Sequence, residues 1–174
     1  MKDLVRLKTS LTEEVEKILN EQIRMEANSS SKYLAMASWC EEKGYKHSAE
    51  FFYLQAEEER QHMLKIFKYV AEMGGKAISP EVSHVQHDYA TLREIFETAL
   101  EQEISVTHAI YRIVDVARKV RDYGTDKFMD WFVAEQREEE TVARRVLELF
   151  DIIGEEGQGL YFIDQAIGKV RGEA

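Results

Sequence analysis

The chain has few of the residues that interrupt helices or fix a chain covalently. Its 174 residues include one proline, nine glycines and a single cysteine. Because proline and glycine are the residues that disfavour helix interiors most, their scarcity permits long uninterrupted helices. Cys40 has no partner for an intrachain disulfide, so we expect it to be a small buried residue.

Long apolar runs and an excess of positive charge are also missing. No segment approaches the roughly 18 consecutive apolar residues that span a membrane, so we expect no membrane partner. The N-terminal stretch MKDLVRLKTS is too charged for a signal peptide, which makes a cytoplasmic location the default expectation. The net charge of −10 argues against general nucleic-acid binding, which uses a basic surface. A site for cations fits this charge better.

Apolar residues recur at three- and four-residue steps in four long segments and one short one, as in amphipathic helices. The first helix begins with the capping-box pattern Ser10-Leu-Thr-Glu13, and glycines follow most of the predicted helix ends. The predicted bounds are Ser10 to about Lys43, about Lys46 to Met73, about Tyr89 to Tyr123, Gly124 to Ile153, and Gly159 to Val170.

The lengths of the connections predict how these helices are arranged. Tight turns at Gly44 and Gly124 make two antiparallel hairpins. About 15 residues containing Pro80 separate the hairpins, and at about 3.3 Å each they reach roughly 50 Å, further than the roughly 42 Å of a 28-residue helix. We therefore predict an all-α fold in one domain, residues 1–174. It is a four-helix bundle over about residues 10–153, with a long crossover between helices two and three and a short fifth helix.

Each apolar stripe of the four long helices is interrupted near its middle by polar residues. A single buried carboxylate is costly, and several together repel one another unless a cation compensates them. The interrupting residues, one or two on each helix, are Glu26, Glu59 with His62, Glu103, and Gln136 with Glu139.

The spacing of these residues indicates an internal duplication of one helical hairpin. Glu26 and Glu59 are 33 residues apart, as are Glu103 and Gln136. A single shift of 77 residues maps Glu26 onto Glu103, Glu59 onto Gln136, and His62 onto Glu139. Such a duplication places a pseudo-twofold site at the centre of the bundle.

The residue types at this site favour a transition metal with oxygen ligands. Residues three apart on a helix lie about 60° apart around its axis, so Glu59 and His62 project together, as do Gln136 and Glu139. Carboxylates with one imidazole at an open site suit iron(II) or manganese better than a closed thiolate zinc site does. We expect two metals, because bridging carboxylates then have their charge compensated.

The chain resembles the ferritin family, specifically its prokaryotic non-haem members. The resemblance runs through LNEQIRMEANSSSKYLAMASW, AEEERQHM, ALEQEISVTHAI, WFVAEQREEE and GLYFIDQAI. The wider ferritin-like group places one Glu on each of two helices and Glu-x-x-His on each of the others. This chain has Gln136-x-x-Glu139 in place of the second Glu-x-x-His, and this substitution resembles ferritin. Arg60 stands where haem-containing relatives have methionine, so the resemblance implies no haem.

The resemblance assigns a role to each of these residues. Glu26, Glu59 and His62 form the first iron site with Glu59 as the bridge, and Glu103 and Glu139 form the second with Gln136 nearby. Tyr33 corresponds to a tyrosine beside the di-iron centre that can supply an electron; ordinary core packing is an equal and compatible interpretation. A third iron site is implied, which consists of Glu58, Glu135 and Glu138 and shares Glu139; the alternative for these three glutamates is a solvated helix face.

The resemblance implies an iron-storage function. Iron(II) would be oxidised by oxygen or hydrogen peroxide at the di-iron centre, and the iron(III) mineral would collect inside a hollow homo-oligomeric shell of 24 subunits. The fifth helix would line a fourfold channel of that shell, unless it simply docks on its own bundle. A di-iron oxidase or oxygenase acting on an organic substrate or peroxide is the main alternative, and a non-enzymatic helical scaffold is another.

Overall fold

The computed structural model describes residues 8–171; residues 1–7 and 172–174, which the predicted domain includes, lie outside that range. This part of the chain is all-helical, as predicted. Its helices are α1 (Glu13–Lys43), α2 (Lys46–Glu72), α3 (Leu92–Lys119), α4 (Tyr123–Ile153) and α5 (Gly159–Val170).

The N-cap of the first helix lies two residues later in the chain than predicted. Thr12 is the N-cap, and its side chain accepts a hydrogen bond from the Val15 amide at 3.3 Å. Ser10 was predicted in that role, but the preceding segment is held outside the helix, since Thr9 donates to the Met73 carbonyl and Leu11 is buried in the core. The α1–α2 turn at Gly44 is confirmed, with this glycine in the left-handed region (φ 83°).

The boundary between α3 and α4 was predicted at the wrong residue. Gly124 lies inside the first turn of α4, and the turn is made by Arg121, whose φ is 62°. Asp122 then caps α4 by accepting from the amide of Thr125 at 3.0 Å and from its hydroxyl at 2.7 Å. Asp122, and not Gly124, therefore marks the boundary between the two helices, because its side chain caps the N-terminus of α4. The predicted start of α3 at Tyr89 is also early, because Thr91 caps this helix.

A long crossover joins two antiparallel hairpins, as the connection lengths predict. α1 packs along α2 and α3 along α4, and residues 73–91 connect the hairpins. Asn20 holds the beginning of the crossover by donating to the Lys76 carbonyl and accepting from the Ile78 amide, and Asn28 accepts from the Ser83 amide further on. The crossover therefore follows the outside of α1, and a four-helix bundle of ferritin-like connectivity results.

The bundle core consists of two hydrophobic clusters with a polar layer between them. One cluster, which includes Phe52, Phe96 and Phe150, joins all five helices, and the other, which includes Leu19 and Ile110, fills the opposite end of the bundle. The polar layer consists of buried side chains from the middle of α1 to α4, namely Gln22, Glu26, Ser29, Gln55, Glu59, His62, Gln102, Glu103, Thr107, Gln136 and Glu139. The apolar ends supply the stability that allows the centre to be polar.

The short helix α5 docks on α2 and α4. Ile163 and Ile167 are buried in the larger cluster, while Tyr161 and Phe162 on the other side of the helix are exposed. Asp164 accepts from the Ser48 amide (2.8 Å) and hydroxyl (2.7 Å), so it caps the N-terminus of α2. Because the α2 N-cap residue makes no side-chain hydrogen bond of its own, α5 completes the end of α2.

Composition predicts a buried free cysteine and no membrane-spanning segment. Cys40 is free and buried, as predicted, and burial raises its pKa to about 12, which leaves the thiol protonated and unreactive. Within residues 8–171, none of the helices combines the length and apolar character needed to cross a membrane.

Candidate metal centre

Four helices bring the predicted central residues together in the polar layer. α1 carries Glu26, α2 carries Glu59 and His62, α3 carries Glu103, and α4 carries Gln136 and Glu139. All six side chains are at most 7% exposed. Glutamate is rarely buried to this extent without compensation, so four buried carboxylates in one layer indicate a site and not a solvated face.

The first half of the site consists of Glu26, Glu59 and His62, whose ligand atoms all lie within 4.8 Å of one another. Among residues 8–171, no amide or hydroxyl donates to three of their four carboxylate oxygens, namely Glu26 Oε2 and both oxygens of Glu59. The remaining one, Glu26 Oε1, accepts from the Gln22 side chain at 2.8 Å. His62 Nδ1 faces Glu59 at 3.5 Å.

The second half consists of Glu103, Gln136 and Glu139, and its carboxylates have partners within the protein. Glu103 accepts from the Tyr33 hydroxyl on one oxygen and from Gln136 Nε2 at 3.0 Å on the other. Glu139 accepts from Gln55 Nε2 at 2.9 Å. Tyr33 is also stacked on Phe52, with 5.8 Å between ring centroids. Its surroundings are therefore compatible both with a role beside the metal centre and with ordinary core packing.

Burial and mutual repulsion shift the carboxyl groups of the site toward the protonated form. Burial and the neighbouring Glu59 raise the pKa of Glu26 well above 4.5, and burial and Glu103 do the same for the pKa of Glu59. Burial also raises the pKa of Glu103, although hydrogen bonds from Tyr33 and Gln136 oppose the shift. The pKa of Glu139 rises to about 7, chiefly through burial. The site therefore binds protons when it lacks another cation.

The first half fits a metal ion on the evidence of its own atoms. Buried oxygens without partners are rare in native proteins, and here one of the three, Glu59 Oε2, lies 3.5 Å from His62 Nδ1. Carboxylate and imidazole donors suit iron(II). At a second position, a metal would share Glu103 with the hydrogen bonds from Tyr33 and Gln136, whereas Gln55 occupies only Oε2 of Glu139.

The residues predicted for a third site lie beside the centre, on the outer side of α2 and α4, and they are less buried. Glu135 is 27% exposed and faces His62 Nε2 at 3.9 Å, whereas Glu138 is exposed. The Glu58 side chain is 41% exposed and binds Arg171 through both oxygens. Within the described residues, the only group of three or more ligands that meets the 4.8 Å spacing is Glu26, Glu59 and His62, so the third set is not gathered in this structure.

Several side chains that contact the site are not among the residues predicted from the sequence. Gln22 and Gln55 are the most direct, and a signal for both was present: each precedes a site glutamate by four residues, and the two are 33 residues apart like the glutamates themselves. Thr107 contacts Gln136 from one turn beyond Glu103. Arg171 had no local signal, because it follows the fifth helix, far from the site in sequence.

Comparisons with known proteins agree with this geometry. A family model described as a ferritin-like domain matches residues 16–153. A probable bacterial non-heme ferritin-like protein of Haemophilus influenzae is 37% identical over 94% of this chain and 99% of its own length. A bacterial non-heme ferritin of Campylobacter jejuni is 36% identical over 92% and 96%. The structure of an open pore ferritin from the archaeon Archaeoglobus fulgidus superimposes with a TM-score of 0.88 at 34% identity, over 91% of this chain and 97% of that one.

Proposed function

The chain belongs to the ferritin family, and from this premise we propose that it oxidises iron(II) at the centre of the bundle and stores the iron(III) product. In this proposal iron is substrate and cargo. Glu26, Glu59 and His62 bind one iron(II), and Glu59, Glu103 and Glu139 bind a second, with Gln136 adjacent.

One observation carries the proposal: buried carboxylate oxygens without partners adjoin His62 in the middle of the bundle. A purely structural polar layer would satisfy such atoms with amides or hydroxyls, as happens around Glu103. Leaving a buried charged group unpaired costs several kcal/mol, on the order of 3–5, and a bound cation removes that cost. The non-haem ferritin names of the relatives agree with iron storage.

Charge balance explains why such a site takes up two iron(II) ions. The four buried carboxylates carry four negative charges when ionised, which two divalent cations neutralise. Since the pKa values of these groups are raised, iron binding releases protons from them. Each iron(II) then gives one electron to the oxidant. Two irons reduce dioxygen to hydrogen peroxide, or hydrogen peroxide to two molecules of water, with two protons taken up in either case.

The surrounding residues orient the ligands, and one of them is placed to supply an electron. Gln22 holds Glu26 and Gln55 holds Glu139, which fixes the rotamers of two ligands before iron binds. Burial and Glu103 raise the pKa of Tyr33, so its hydroxyl stays protonated and donates to Glu103. Tyr33 therefore lies where it can supply an electron to the second position. The third set, Glu58, Glu135 and Glu138, would receive iron leaving the centre.

The ferroxidase proposal is tested by loading the metal-free protein with iron(II) anaerobically and then admitting oxygen. We expect ferric absorbance to develop faster than in buffer, and the acceleration to be lost in Glu59→Ala. Glu57→Ala is the matched control, because it removes the same charge from the same helix at an exposed position. Equal rates for the protein and buffer, or for Glu59→Ala and the native chain, would contradict the proposal.

Storage further requires a closed assembly, which we propose to be a cytoplasmic shell of 24 subunits. Such a shell has a mass of 24 × 20.3 kDa, about 487 kDa. The exposed Tyr161 and Phe162 on α5 would then lie at contacts between subunits. Light scattering after size exclusion should give this mass. A stable dimer would contradict storage and favour a di-iron oxidase of the same fold.

A further inference from the structure

The end of α5 places a positive charge against one of the third-set carboxylates. Arg171 donates from Nη1 to Glu58 Oε1 at 2.8 Å and from Nη2 to Glu58 Oε2 at 2.6 Å. The guanidinium also lies over the Phe51 ring, 5.1 Å from its centroid. This fork on both carboxylate oxygens, backed by an aromatic ring, is the most specific geometry that arginine can adopt with a carboxylate.

The position of Arg171 follows from how α5 is anchored. Asp164 is hydrogen-bonded to the first turn of α2, and Ile167 and Val170 are buried in the hydrophobic core. Arg171 directly follows Val170, and its side chain reaches Glu58 in the fourth turn of α2. The side chain is 25% exposed, which places it partly under the surface and not in a freely moving tail.

Glu58 belongs to a larger group of acids next to the metal centre. It immediately precedes Glu59 in α2, and its charge contributes to raising the pKa of Glu139, which is governed chiefly by burial; Arg171 opposes that shift. The charge of Glu58 also contributes to raising the pKa of Glu135, a shift that is caused mainly by burial. Arg171 therefore acts as a cation for Glu58 and Glu139, two of the four acids that the ferritin resemblance assigns to a third iron.

We propose that Arg171 is a built-in counter-cation of the third carboxylate set, which an incoming metal ion must displace from Glu58. This inference rests on the proposed function and deepens it. Binding at the third set is then coupled to release of the C-terminal end of α5. Arg171 weakens metal binding there and lowers the residence time of iron, so that this set passes iron on instead of retaining it.

The size of the effect follows from the exposure of the pair. A carboxylate whose two oxygens are both held by guanidinium must lose at least one of these bonds to bind a metal. Since Glu58 is 41% exposed, water screens the interaction and reduces its strength below that of a buried fork. We therefore expect removal of Arg171 to tighten third-site binding by about five- to tenfold.

A zinc(II) titration tests the competition without redox chemistry. Native protein is expected to show two tight classes of site per subunit and a weaker third class. Arg171→Gln should tighten only the third class, by about five- to tenfold, and Arg171→Lys by less, because lysine keeps the charge but not the fork. Arg118→Gln is the control, since it removes an equal charge at a distant, exposed ion pair with Asp126. An unchanged third class in Arg171→Gln, or an equal shift in Arg118→Gln, overturns the inference.

A labelling experiment tests the displacement in the native sequence and does not depend on a variant folding. Phenylglyoxal modifies free guanidinium groups, and peptide mass spectrometry follows Arg171 and Arg118 separately. Saturating zinc(II) should raise the labelling rate of Arg171 at least about threefold and leave Arg118 unchanged. Glu58→Gln should raise the Arg171 rate without zinc. A zinc-independent Arg171 rate overturns the inference.

The outcomes separate this inference from the proposed function. If the native protein lacks the two tight classes, the di-iron proposal fails, and the inference fails with it. If the two tight classes are present but the third class and the labelling of Arg171 do not respond as stated, only the inference fails.

Discussion

The two halves of the central site share one repeated spacing, yet they differ in how their charges are compensated. In the half formed by Glu26, Glu59 and His62, three buried carboxylate oxygens accept no hydrogen bond from an amide or hydroxyl among the described residues. In the half formed by Glu103, Gln136 and Glu139, a tyrosine and two glutamines already donate to the carboxylates. The carboxyl groups of the first half are therefore compensated by protons or by another cation, whereas those of the second half are largely satisfied by donors from the protein itself.

This difference predicts an order of binding. A cation entering the first half removes the cost of unpaired buried oxygens and breaks no hydrogen bond to Glu59. A cation entering the second half competes with the hydrogen bonds that Tyr33 and Gln136 donate to Glu103, and a hydrogen bond to a charged group is worth about 1.5–3 kcal/mol. Gln136 adds no charge of its own where the first half has Glu59. The first half should therefore fill first and hold its ion more tightly.

The largest effect is expected from removing a ligand of the first half. Glu26→Gln should slow iron oxidation at least about 100-fold, because an anionic ligand is lost from the half that has no substitute. Gln136→Ala should slow it by only about tenfold, because the neutral amide contributes little to holding the cation. Stopped-flow ferric absorbance measures both, with exposed Glu57→Gln as the control. Equal losses in the two variants would show that the halves do not differ.

Gln136→Glu makes the second half resemble the first and should reduce the difference in metal affinity between the two halves. The new carboxylate would face Glu103, whose oxygen lies 3.0 Å from the Gln136 amide nitrogen. We expect the second zinc(II) to bind about tenfold more tightly, and the melting temperature of the metal-free protein to fall by about 5 °C. Calorimetry measures both quantities. A variant that is more stable without metal would contradict the electrostatic account of this half.

The pH dependence of stability tests the same electrostatics in the metal-free protein. A carboxyl whose folded-state pKa is raised favours folding below its unfolded pKa, and that contribution is lost as pH rises through the folded pKa. For Glu139 this window runs from 4.5 to about 7, and Glu26 and Glu59 act in the same direction. The melting temperature should therefore fall by about 5 °C between pH 5 and pH 8.

Saturating zinc(II) serves as the control for this experiment, because the bound cation replaces the protons. With zinc(II) present, the fall between pH 5 and pH 8 should largely disappear. A metal-free protein that becomes more stable over this range would mean that the buried carboxylates are compensated by groups other than protons.

The smallest effect is expected from Tyr33→Phe. This change removes the hydrogen bond to Glu103 but keeps the aromatic stack on Phe52, so the fold should be retained. Iron oxidation should slow by about three- to tenfold, chiefly at the second position. Rapid mixing at one and at two irons per subunit separates the positions. A loss confined to the first iron would contradict the assignment of Tyr33 to the second half.

Much of this fold could be predicted from the sequence, because its helices carry regular apolar stripes. The bounds of α1, α2 and α5 were predicted to within about three residues, and the long crossover followed from chain length alone. The α3–α4 turn was misplaced because Arg121 adopts a left-handed conformation that is uncommon for a residue other than glycine, while Gly124 lies in a helix. Local residue preferences cannot reveal such an exchange.

The central site was predictable for a different reason, namely the repeated offsets of 33 and 77 residues. Those offsets place all six central residues in one layer, but they do not show which oxygens have partners. The hydrogen bonds from Tyr33 and Gln55 cross between helices, and the Arg171–Glu58 pair joins residues 113 positions apart. Contacts of this kind depend on the packed geometry of the bundle.

Anaerobic diffraction from crystals containing one equivalent of iron(II) per subunit tests the central claim most directly. Anomalous scattering locates the iron without reference to the rate of any reaction. We predict that the density lies between Glu26, Glu59 and His62, and that the position next to Glu103 and Glu139 fills only when a second equivalent is added. Equal occupancy of both positions at one equivalent, or filling of the Glu103 position first, would contradict the account.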